Sequence, residues 1–169
     1  MRFSLLAAAA GAALMFGAVA HAQQPASPPP SAPPPRPDYG PPITLEQAKK
    51  VAAAAEAEMQ KIGQHQAIAI VEPSGDLVYF ERMEGSSYAH IQLAESKARS
   101  AARFKAPTQA FQDRVQGNTF LLGLEGMIPV GGGVPIVSGG KIIGAIGVAG
   151  APISPPDEQV AKAGAETLK

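Results

Sequence analysis

The chain has 169 residues, no cysteine, no tryptophan and 5% aromatic residues, and its 14 basic residues balance 14 acidic ones at a formal net charge of +0. That composition excludes disulfides, thiolate metal centres and a cysteine nucleophile, and it argues against nucleic-acid binding through bulk charge or aromatic stacking. Of 17 prolines, ten fall between Pro25 and Pro42, so the averages describe no single part of the chain.

The first residues read as a targeting signal. Arg2 is followed by an apolar run of 15 residues, Leu5 to Val19, and Ala20-His21-Ala22 then has the small-residue pattern of a cleavage site. The run is shorter than the ~20 residues that a membrane span needs. Residues 1–22 are therefore expected to be a signal peptide, with a periplasmic or secreted product that starts at Gln23 and has no stable membrane insertion after cleavage. Residues 23–42 are low-complexity, PASPPPSAPPPRPDYGPP after two glutamines. They are expected to form a disordered, extended Pro-rich linker that spaces the domain from its surroundings.

A single folded domain is expected over residues 43–169. Thr44 and Gln47 have the spacing of a capping box. Leu45, Ala48, Val51, Ala52, Ala55, Met59 and Ile62 keep helical spacing behind it, and Gly63 stops the helix. Ala67 to Val71 and Leu77 to Arg82 read as two strands joined by the turn residues Glu72-Pro73-Ser74-Gly75-Asp76. Ser86 or Ser87 can cap a second helix from about Tyr88 to Phe104, with Ile91, Ala94, Ala98 and Ala101 as a stripe of mostly small residues. Pro107-Thr108 starts a short third helix toward Val115, and Thr119 to Leu122 reads as a strand. Val134 to Ser138 and Lys141 to Val148 flank Gly139-Gly140, a strong hairpin signal. Ser154-Pro155-Pro156-Asp157 opens a last helix. No strand–helix–strand unit of Rossmann type is present, so the expectation is an α+β domain, an antiparallel sheet with packed helices. Its small packing residues bury little area each, which favours added stability from subunit contacts.

The chemistry is sparse. Gly131-Gly132-Gly133-Val134-Pro135-Ile136 frees the backbone and exposes N–H groups that can hold an anion, or simply makes a tight turn into the next strand. It is neither a phosphate-binding Walker loop nor a dinucleotide fingerprint. Gly144, Gly147 and Gly150 suit close backbone approach. After residue 22 only two histidines remain, His65 before the first strand and His90 at the start of the second helix. Each is a solvated imidazole or a single ligand for a metal or haem iron. Lys97, Arg99, Arg103 and Lys105 end the second helix with basic charge, and the helix dipole accounts for the last two. Lys97 lies nearer the alanine stripe, where an ammonium can pair with a carboxylate or a propionate. Arg82 closes the first hairpin and can join the same patch. No GxSxG elbow is present.

The segments ITLEQAKKVAAAAEAEMQK, AIAIVEPSGDLVYFERMEG, AESKARSAARFKAPT, GGGVPIVSGGKIIGAIGVAG and DEQVAKAG, in that order over residues 43–169, resemble the GlcG/HbpS haem-binding family. The resemblance implies a profilin-like domain that assembles into homo-oligomers, with haem or another tetrapyrrole as ligand. Relatives often have Ser where Ala149 stands and Asp near Glu84, so this chain lacks a hydroxyl and shifts a carboxylate there. On this reading Arg82, Lys97 and Arg99 pair with the propionates, and the loop Gly131–Pro135, with Gly132, Gly133 and Pro135, lines the pocket. His90, then Thr108 or His65, is the axial ligand. Two other readings stay open: an enzyme or accessory protein that clamps a small organic acid, as in glycolate-type metabolism, between Lys97 and Arg82, and a purely structural oligomer. No residue pattern demands an enzyme.

Overall fold

The computed structural model describes residues 35–152 and 154–169. The signal peptide and most of the Pro-rich linker lie outside the described residues. The element order is α1 (Leu45–Lys61), β1 (Ala67–Val71), β2 (Leu77–Arg82), α2 (Ala89–Phe104), α3 (Thr108–Val115), a 3-10 turn (Thr119–Gly123), β3 (Gly133–Ser138), β4 (Lys141–Ala149) and α4 (Ser154–Ala165), followed by a short 3-10 turn.

Local signals place most of these elements. The capping box forms as expected, with the Gln47 N–H donating to Thr44 Oγ1 at 3.2 Å and the Thr44 N–H to Gln47 Oε1 at 2.9 Å. Gly63 follows the helix at φ +66, the left-handed region that glycine adopts without a Cβ penalty. The N-cap of α2 is Tyr88, without a side-chain cap bond, instead of Ser86 or Ser87, although Ser87 Oγ accepts the Ala89 N–H at 3.3 Å. Gly139 and Gly140 take φ values of +56 and +74, both positive as a two-residue type I′ turn requires.

The predicted strand at Thr119–Leu122 is a 3-10 turn instead. Asn118 accepts the Phe120 N–H on its side chain at 3.2 Å, a local bond that competes with strand pairing. At the other end of the domain, the last residues of the predicted linker are held. The Tyr39 hydroxyl donates to Ala102 O at 2.9 Å, and the Gly40 N–H donates to Ile142 O at 2.8 Å.

The four strands form one antiparallel sheet in the order β2-β1-β4-β3. Alternation along β1 and β4 gives the sheet two unlike faces. Ile68, Ile70, Ile146 and Val148, with Val134 and Ile136 of β3, meet α1 and α4 in the main core. Ala67, Ala69, Ala145 and Ala149 meet Ala94, Ala98, Ala101 and Ala102 of α2. At Gly147 a Cβ would collide with Ala94 O and would stand 2.5 Å from Ala98 N, so glycine is what lets α2 approach the sheet.

Candidate functional site

The close approach of α2 brings Lys97 against the sheet. Its side chain is fully buried, and its ammonium donates to Val148 O at 2.9 Å and to Asp157 Oδ2 at 2.7 Å. Asp157 sits in the first turn of α4, where the helix dipole favours a carboxylate. Its second oxygen accepts from Gln66 Nε2 at 2.7 Å and from the Ala151 N–H at 2.9 Å. Burial pushes the Lys97 ammonium below the ordinary lysine range, and the Asp157 carboxylate beside it works in the opposite direction. A buried charge of this kind is tolerable only when paired.

The glycine loop seals this pair. Gly132 has φ +112, and a Cβ on it would lie 2.6 Å from Val148 O and 3.0 Å from Lys97 Nζ. The three N–H groups of the loop are all occupied from within the chain. Gly131 donates to Gln112 Oε1 at 2.9 Å, Gly132 to Glu158 Oε2 at 2.8 Å, and Gly133 to Thr108 Oγ1 at 2.8 Å. Of the two readings of the loop, the tight turn is the one these bonds describe. Thr108 is itself fully buried. Lys97, Thr108, Gly132 and Gly133 therefore belong to one internal polar cluster, and the carboxylate that Lys97 reaches belongs to its own chain.

The other predicted residues lie apart from it. Arg99 binds Glu95 Oε2 at 2.8 Å and Gly75 O at 3.2 Å, toward the β1–β2 turn. Arg82 and His90 do come together. The Arg82 guanidinium donates to Ser86 O at 2.5 Å and lies over the Tyr88 ring, 4.9 Å from its centre, and Ser86 Oγ is 2.9 Å from His90 Nδ1. With the Nδ1 proton donated to Ser86, Nε2 would carry the free lone pair. His65 is exposed and lines a separate groove of about 320 Å³ with Met59, Met83 and Glu84. Among the described residues no three His, Asp or Glu side chains gather around a metal position.

Pro135 lines a different space, a groove of about 310 Å³. Its apolar walls include Pro107, Val134, Pro135, Val137, Ile142 and Ala165, and Lys105, Lys162 and Lys169 line it together with one carboxylate, Glu166. Among the described residues Lys105 pairs with Asp38 at 3.8 Å and lies 4.2 Å from the centre of the Tyr39 ring, Lys162 pairs with Glu158 at 3.3 Å and Lys169 with Glu166 at 2.9 Å. The Lys169 pair is exposed on both sides and is worth little, whereas Lys162 faces the buried Glu158. A larger surface groove of about 650 Å³ carries Glu58, Glu158 and Glu166 on its walls beside a single lysine, Lys162; Lys162 and Glu166 line both grooves, and the excess of carboxylates makes the larger one the poorer host for an anion.

Sequence reasoning missed Asp157, Gln66 and the two lysines of the C-terminal region, Lys162 and Lys169. Asp157 was legible only as a first-turn acid behind two prolines. Lys162 and Lys169 look like solvated charges until Pro135 and Ala165 are seen beside them.

The family profile described as haem degrading protein, HbpS-like, matches residues 43–166. The chain is 33% identical to protein GlcG of Escherichia coli K12 over 107 residues, which is 63% of this chain and 80% of that one. A crystal structure of a double mutant of HbpS from Streptomyces reticuli is 34% identical, covers 86% of this chain and 99% of its own, and superposes with a TM-score of 0.71. The crystal structure of a PduOC–haem complex shares the fold at 23% identity, covering 76% of this chain and 97% of its own, with a TM-score of 0.68.

Proposed function

Since the chain belongs to the HbpS-like family, we propose that it is an exported, oligomeric haem-binding protein that sequesters or senses haem, and that the macrocycle lies in the lysine-rimmed groove. The observation that carries this is the pairing of apolar walls, Pro107, Pro135, Val137 and Ile142, with three ammoniums that outnumber the one carboxylate there, Glu166. Haem is an apolar plate with two carboxylates on one edge. A slot of this make-up covers part of one face of the plate and pairs the propionates at the surface. Export rests on the apolar run and the Ala20-His21-Ala22 pattern. Assembly is supported by the alanine-rich packing and by the family. Bound haem would supply an iron centre for redox or gas-ligand chemistry. The chain's own residues bind the plate, cover part of one face and hold its carboxylates.

None of His65, His90 and Thr108 is among the residues that line this groove. Among the described residues no imidazole lines the groove, so haem held there would be weakly ligated and easily lost. A second location is favoured by one observation, the Ser86-held ring of His90 beside Arg82, which would offer the iron one imidazole. The small-acid clamp between Lys97 and Arg82 loses one jaw, because the Lys97 ammonium is spent on Asp157 and Val148 inside the domain.

Haem titration followed in the Soret region tests the reading. A saturable, stoichiometric shift that Val137→Asp weakens by roughly tenfold or more supports it. Non-saturating, featureless absorbance contradicts haem binding. A full-strength shift in Val137→Asp moves the haem out of the groove.

A further inference from the structure

Soft donor atoms are scarce in this chain, and they gather in one place. There is no cysteine, and beyond residue 22 the sequence holds three methionines, Met59, Met83 and Met127, and two histidines, His65 and His90. Met127 is buried with Phe111 and Ala106. The other two methionines and His65 line the groove of about 320 Å³, which has no lining residue in common with the lysine-rimmed groove.

Three parts of the chain carry these side chains to the groove. Met59 comes from the last turn of α1, His65 from the turn that Gly63 opens at φ +66, and Met83 directly follows β2. They converge on the backbone of Gln66, the residue next to His65. The Gln66 N–H donates to Met59 Sδ at 3.3 Å, and the Met83 N–H donates to Gln66 O at 3.1 Å. Core packing explains part of this, since Met59 belongs to the main core and Met83 leans on it. It does not explain a sulfur fixed by a backbone N–H beside an exposed imidazole on the wall of an open groove. A thioether sulfur has two lone pairs, so the one accepted N–H leaves the other for a metal. Thioethers are neutral, polarisable donors that select Cu(I) over harder ions, and imidazole suits copper as well. Glu84, the one carboxylate that lines the groove, adds a charge that attracts a cation.

We propose that this groove is a binding site for a soft monovalent metal ion, Cu(I), held by the thioethers of Met59 and Met83 and one ring nitrogen of His65. The site is separate from the lysine-rimmed groove and does not rest on the haem reading.

Anaerobic titration of the haem-free protein with Cu(I), in competition with the chromophoric chelator bathocuproine disulfonate, tests the site. The wild type is expected to withhold a single equivalent of copper. Met83→Leu and His65→Ala are each expected to raise the dissociation constant by roughly tenfold or more. Leucine conserves the volume of methionine and the His65 ring is exposed, so both variants keep their unfolding midpoint. His90→Ala is expected to bind copper like the wild type. A wild type that leaves all the copper to the chelator overturns the proposal, and so does unchanged affinity in Met83→Leu or in His65→Ala. Copper X-ray absorption adds a readout that a packing role alone does not move: sulfur neighbours in the wild type and fewer of them in Met83→Leu. Nitrogen and oxygen neighbours alone overturn the thioether ligation, even where the affinity falls. Excess Zn(II) is expected to leave the copper in place, and its displacement by Zn(II) would contradict a soft site.

Discussion

The two faces of the sheet are built by opposite means. On one, isoleucines and valines of β1, β3 and β4 hold α1 and α4 at a distance. On the other, alanines and Gly147 let α2 settle almost onto the strands. The close face leaves no room, and what it encloses is fixed: Lys97 threads past the sheet to Asp157, and the glycine loop closes over both. The wide face ends, beside β3 and α4, in the open groove with its lysine rim. The close face thus encloses a fixed polar pair, and the groove beside the other face stays open to solvent.

Breaking the close face should cost most. Asp157→Ala strands the Lys97 ammonium without a counter-charge, and unfolding in urea should show a loss of about 3–5 kcal/mol. Lys97→Met with Asp157→Leu removes both charges and should recover most of that. The pH dependence has a definite sign. Burial lowers the Lys97 pKa below the ordinary 10.5, so between the folded value and 10.5 the unfolded chain holds a proton that the folded chain releases. The contribution of this group to stability therefore rises with pH through that window. In Asp157→Asn the ammonium loses its partner, and the deficit against wild type should shrink as pH rises from neutral toward 10.5.

A second test compares the faces directly. Gly147→Val must push α2 off the sheet and should cost about 3 kcal/mol. Ile146→Val, one residue away on the opposite face, only trims a methyl from the main core and should cost about 1 kcal/mol. Equal losses in the two variants would mean that α2 packs no closer than α1 and α4. The smallest effect belongs to the rim. Lys169→Glu should change the unfolding free energy by less than about 0.5 kcal/mol, and Lys162→Glu by more, because it sets a second carboxylate against the buried Glu158; in both, a groove that pairs propionates should lose haem affinity.

Much of the fold was legible because it is written locally. The Thr44–Gln47 box, the Gly139-Gly140 turn and the Pro107-Thr108 start each act within a few residues. Thr119–Leu122 misled because its β-prone composition was overruled by one Asn118 side-chain bond. The odd position of Lys97 beside the alanine stripe was visible, but its partner lies on another helix. The spacing of charges along a chain does not say which carboxylate, internal or foreign, an ammonium will meet. The groove was invisible for the same reason, since its walls come from β3, β4, α4 and the residue before α3.

The most direct measurement is a side-by-side haem titration of the wild type, the Lys162→Glu/Lys169→Glu variant and His90→Ala, read in the Soret region. The groove account predicts that the double lysine variant loses affinity by roughly tenfold or more and that His90→Ala leaves both the affinity and the spectrum unchanged. Loss of the Soret shift in His90→Ala, with the lysine variant unchanged, would contradict it and place the haem at the Arg82–Ser86–His90 end of the sheet.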